Sequence, residues 1–66
     1  MKIILNGQPK TIEGITNITD LLQAEKQDGM KIAVAKNGTF VPKAAYGQTL
    51  IHDGDQIEIV APMQGG

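Results

Sequence analysis

The apolar positions of this chain fall into short alternating runs, interrupted by one stretch with helical spacing. In "KIILNGQPKTIEG", Lys2 to Leu5 is aliphatic and strand-like, and Asn6-Gly7 is the favoured two-residue hairpin turn. Thr11-Ile12 begins the return strand, and Pro9 stands just past the turn, where its missing donor is tolerated on a sheet edge. The period changes in "TNITDLLQAEKQDG". Ile18, Leu21 and Leu22 follow i, i+3, i+4 spacing, Asn17 is placed to cap, and Asp20 sets a negative charge at the positive end of the helix dipole. Glu25, Lys26 and Gln27 read as its solvent-facing continuation and Gly29 as its stop, which makes a helix of about three turns.

The hairpin signature returns in "MKIAVAKNGTFVP". Ile32 and Val34 alternate with Ala33 and Ala35, Asn37-Gly38 forms the turn, Thr39 to Val41 returns, and Pro42 ends the strand. "KAAYGQTLI" fits a helical turn at Lys43 to Tyr46 and a short strand near Leu50. In "HDGDQIEIV", Asp53-Gly54-Asp55 is a turn, and Gln56 to Ile59 alternates polar and apolar as a half-buried strand does. One helix between two hairpins can cover one face of one mixed sheet of roughly four to five strands, an α+β arrangement in two layers. The expected core is Ile3, Leu5, Ile12, Ile18, Leu21, Leu22, Ile32, Val34, Val41, Leu50, Ile57 and Ile59. It is aliphatic, with one Tyr and one Phe in the chain. No room is left inside for a sizeable ligand, so function belongs on the surface or at an end.

Sixty-six residues make a single domain. Composition then narrows the chemistry. Without cysteine there are no disulfides, thiolate metal sites or cysteine nucleophiles, and His52, the single histidine, cannot build a multi-histidine site. Six lysines against seven acids give a net charge of −1, which argues against a nucleic-acid partner. Arginine is absent, so bidentate phosphate clamps are absent too. The longest apolar runs fall far short of the roughly 20 residues that span a membrane. With no leader pattern and no cysteine, the expected location is the cytoplasm.

The candidate catalytic groups are weak. His52 beside Asp53 invites a general-base reading, yet the chain has neither serine nor cysteine to activate. Asp53, Asp55 and Glu58 could offer oxygens to a cation, but Asp-Gly-Asp before a strand is simpler as turn chemistry. "NGQPK" and "KNGTF" lack the spacing of a phosphate-cradling loop. No cofactor or metal site of its own is expected.

What remains is the end of the sequence, "IEIVAPMQGG". Residues 1–61 are expected to form the folded body and 62–66 a flexible tail, since Pro62 stops the strand ladder from continuing. Extended, Pro62 to Gly66 reaches about 17 Å, enough to enter a deep site on another protein. Met63, Gln64, Gly65 and Gly66 are the residues expected to insert. Glycine lacks a Cβ, so it passes a narrow channel and lets backbone approach a nucleotide phosphate closely. The carboxylate of Gly66 would be ionised at neutral pH, with an ordinary pKa of about 3.5. It is a poor acylating agent until a partner converts it to an acyl-adenylate.

"MKIILNG", "TDLL", "AVAKNGTFVPK", "DGDQIEIV" and the final "QGG", in that order, resemble the ThiS-type sulfur carriers of thiamine biosynthesis, and the match spans nearly the whole chain. The resemblance implies a β-grasp, ubiquitin-like fold. It also implies that the chain is not an enzyme but a co-substrate. A ThiF-type adenylating enzyme would use ATP and magnesium to adenylate Gly66, and cysteine-derived sulfur would replace AMP to give a thiocarboxylate. A ThiG-type thiazole synthase would then receive the sulfur. Lys43 and Tyr46 match the basic and aromatic positions after the family's middle proline. Lysine there lacks the two-pronged contact of the arginine common at that position. Three other readings stand beside this one. They are a molybdopterin-synthase small subunit, a tRNA- or protein-modifying carrier, and an interaction module that docks through its sheet without using its terminus.

Overall fold

A computed structural model describes residues 1–27 and 31–61. Five strands and one α-helix follow in the order β1 (Lys2–Leu5), β2 (Gln8–Thr11), α1 (Ile18–Ala24), β3 (Ala33–Lys36), β4 (Thr39–Val41) and β5 (Gln56–Val60), with a 3-10 helix at Lys43–Gln48 before the last strand. The strands form one mixed sheet in the order β2-β1-β5-β3-β4. β5 is therefore central, parallel to β1 and antiparallel to β3. This is the α+β arrangement that the hydrophobic pattern predicts.

Both hairpins turn on Asn-Gly, with Asn6 and Gly7 at φ +50° and +81° and Asn37 and Gly38 at +52° and +84°. Left-handed backbone at both turn residues gives the tight turn whose twist matches the flanking strands. The first return strand starts at Gln8, directly opposite Leu5, rather than at Thr11. Pro9 is accommodated within it. Its partner Ile4 points its N–H the other way, to the Asp55 carbonyl, so the position opposite faces the outer edge, where no donor is required.

The helix begins as expected and ends early. Asn17 Oδ1 accepts from Asp20 N–H at 2.8 Å, while Asp20 Oδ2 accepts from Thr16 N–H at 3.0 Å, a reciprocal cap. It then stops at Ala24, before the expected Gly29, which lies outside the described residues. Lys26 supplies the reversal at φ +60°. Lys26 N–H bonds to the Gln23 carbonyl and Gln27 N–H to the Leu22 carbonyl, the paired bonds of a left-handed helix terminus.

Ile18, Leu21 and Leu22 lay the buried face of the helix on Ile3, Ile12, Val34, Val41, Ile57 and Ile59. Leu5 and Ile32 are only partly buried against this core. Leu50 departs from expectation: it is 49% exposed, and its neighbour Ile51 takes the core position at 4%. Here the chain runs extended past the start of the helix, bridging Asn17 to Leu50, with Ile51 N–H on the Thr16 carbonyl. In extended chain a slip of one residue exchanges inside for outside. The expected strand near Leu50 amounts to that one bridge. The expected helical turn is longer, a 3-10 helix that continues past Tyr46 to Gln48.

Candidate functional site

Met63, Gln64, Gly65 and Gly66 lie outside the described residues, as does Pro62, so the expected division between body and tail falls there too. What the structure defines is the root from which they continue. β5 ends at Val60, opposite Ala33 of β3, and Ala61 follows. Ile57 and Ile59 point into the core, while Gln56, Glu58 and Val60 point to the opposite, uncovered face of the sheet.

That uncovered face is partly apolar. Ala33 sits opposite Val60, and Ala35 lies between Phe40 and Glu58. Phe40 is 65% and Val60 61% exposed. The two alanines of β3 keep the surface between these side chains low. Phe40, Ala35, Ala33 and Val60 thus place apolar side chains, with Glu58 among them, beside the root of the tail.

The opposite end of β5 is tied down by Asp55, a buried carboxylate. Its Oδ2 accepts from His52 N–H at 2.8 Å, its Oδ1 accepts from Asn37 Nδ2 at 3.0 Å, and Lys36 Nζ lies 3.6 Å away. Burial pushes the Asp55 pKa upward and is the largest single influence. The His52 amide, the Asn37 amide and the nearby charges of Lys36 and His52 together outweigh it and hold the carboxyl below its usual range. Sequence reasoning took this residue as ordinary turn chemistry. Nothing in Asp-Gly-Asp announces that its second carboxylate points inward.

The remaining candidates separate. His52 has an exposed side chain, 3.8 Å from Asp55. Asp53 Oδ1 accepts from Lys2 N–H at 2.7 Å, and Glu58 lies on the open sheet face. Asp53, Asp55 and Glu58 therefore occupy three different settings, and no cluster that could hold a metal ion occurs among the described residues. Lys43 is exposed on the 3-10 helix, and Tyr46 packs against the core from the same element. Among the described residues, no helix is long and apolar enough to cross a membrane.

A model of the ThiS family matches residues 3–66. Over all 66 residues the chain is 30% identical to the sulfur carrier protein ThiS of Escherichia coli (strain K12), and the match covers both chains completely. A thiazole synthase of Paramagnetospirillum magneticum is 38% identical over the same 66 residues, which span 20% of that protein's length. The fold is similar to the crystal structure of a thiamine biosynthesis protein, ThiS, from Geobacter metallireducens. That match has a TM-score of 0.84 and 35% identity, and covers each chain in full.

Proposed function

The chain belongs to the ThiS family and has its ubiquitin-like β-grasp fold, and from that premise we propose that it is a sulfur carrier for thiazole formation in thiamine biosynthesis. The reacting group is the carboxylate of Gly66. In the first step one of its oxygens attacks the α-phosphorus of ATP, held with magnesium by a ThiF-type partner, and pyrophosphate leaves. Sulfur derived from cysteine and delivered at the oxidation level of hydrosulfide then attacks the acyl carbon, and AMP leaves. The resulting thiocarboxylate hands its sulfur to a ThiG-type thiazole synthase. The chain itself supplies a rigid body, a recognisable surface and an acid on an unbranched end.

The single observation that carries this reading is the end-to-end match with the Escherichia coli sulfur carrier, which extends through Gly65 and Gly66. Further support comes from the sheet, since the tail follows directly from its central strand. The similarity to a thiazole synthase, of which the chain spans 20%, makes such an enzyme the natural recipient.

The exposed side chains of Phe40 and Val60 favour a second reading, a module that docks through its sheet and leaves its terminus unused. One extra residue after Gly66 separates the two. A carrier extended in this way can no longer be adenylated at Gly66, whereas a docking module keeps its activity.

A further inference from the structure

The parallel pairing of β1 with β5 reaches further than the backbone of β1 does. Two rungs run from Ile4 N–H to the Asp55 carbonyl and from Asn6 N–H to the Ile57 carbonyl, each at 2.9 Å. In a regular parallel ladder the next rung would return from Ile59 N–H to the backbone carbonyl of Asn6. The chain reverses at that point, with Asn6 at φ +50°. The side chain stands in: Asn6 Oδ1 accepts from Ile59 N–H at 2.8 Å. Among the described residues, this is the hydrogen bond on the β1 side nearest the tail.

The other turn asparagine grips the far end of the same strand. Asn37 Oδ1 accepts from Gln56 N–H at 2.9 Å, and Asn37 N–H donates to the Gln56 carbonyl at 2.7 Å. Asn6 thus has two duties, a left-handed turn and an acceptor for β5. Glycine, asparagine and aspartate are the residues that routinely enter the left-handed region, and of these only the last two carry an acceptor oxygen.

We propose that Asn6 is a positioning residue for the reacting tail, closing an extra rung that holds Ile59 in register and sets where the tail leaves the sheet. The role rests on the carrier reading above. Without this rung the last residues of β5 are held from the β3 side alone. Val60 stays paired with Ala33, so the strand end that leads into residues 62–66 is fixed along one edge instead of two. A strand end fixed along one edge aims the terminal carboxylate less narrowly and brings it into reacting geometry less often, while the docking surface keeps its residues.

The test compares wild type, Asn6→Gly and Asn6→Asp well below their melting temperatures. It measures amide exchange at Ile59 and steady-state thiocarboxylation by the adenylating enzyme with ATP and a sulfur donor. In Asn6→Gly the Ile59 amide should exchange about tenfold faster. Its kcat should fall about two- to tenfold, with the KM for the carrier held within about twofold. Asn6→Asp should restore both. A merely structural role would lower the melting temperature of Asn6→Gly and leave kcat unchanged. That result, or no restoration by Asn6→Asp, overturns the positioning role while the carrier reading stands. A wild-type protein that cannot be loaded overturns both.

Discussion

The side-chain amide of Asn37 donates to Asp55 Oδ1 at 3.0 Å, tying the β3–β4 turn to the residue just before the last strand. The bond makes one buried carboxylate common to two segments, Lys36-Asn37 and His52 to Asp55, because Asp55 also accepts from His52 N–H and faces Lys36. Removing that carboxylate leaves two partly buried donors, Asn37 Nδ2 and His52 N–H, without this acceptor. Asp55→Ala should therefore cost about 2–3 kcal/mol in denaturant unfolding at neutral pH.

The same carboxylate sets an acid limit. Its folded-state pKa is below its unfolded value, so its contribution is complete above the unfolded pKa and is lost as pH falls through the folded one. Wild-type stability should hold from neutral pH down to about pH 5 and decline below about pH 4. Asp55→Ala should decline less steeply over that acid range. Parallel curves for the two proteins, measured by urea unfolding across pH, would mean that Asp55 is not the group responsible.

Lys26 carries a left-handed backbone at φ +60°, where glycine has no Cβ to obstruct. Lys26→Gly should raise stability by about 1 kcal/mol, since the terminating bonds from Lys26 and Gln27 are backbone bonds and survive the change. A lower melting temperature would place the reversal elsewhere.

The exchange of Leu50 for Ile51 in the core gives a paired test. Leu22→Ala and Ile51→Ala should each cost about 2–5 kcal/mol, because both side chains are buried. Leu50→Ala should stay within about 0.5 kcal/mol. Equal losses at positions 50 and 51 would contradict the side-chain alternation of this segment.

Features set by local chemistry were legible in the sequence. Asn6-Gly7 and Asn37-Gly38 specify their turns through backbone preference alone, and Asn17 with Asp20 specifies a helix start. Alternation in Gln56 to Ile59 identified the strand that turns out to be central. Features set by distant contacts were not legible. The reversal after the helix falls on a lysine, Lys26, so no glycine marked the stop. Ile51 is chosen over Leu50 by a bridge to Asn17, more than thirty positions earlier in the chain. The inward turn of Asp55 depends on Asn37, and the hold of Asn6 on Ile59 on a parallel pairing that no local pattern reveals. The glycine pair was visible from the start, and the structure adds the strand from which its segment continues.

Intact-mass spectrometry tests the central claim most directly. The protein is incubated with its adenylating enzyme, ATP, magnesium and a sulfur donor, then compared with the same mixture lacking ATP. The account predicts a gain of about 16 Da, sulfur for oxygen, confined to the carboxyl-terminal peptide ending at Gly66 and absent when Gly65 and Gly66 are deleted. An unchanged mass with a demonstrably active enzyme, or thiazole formation supported equally well by the truncated chain, would contradict it.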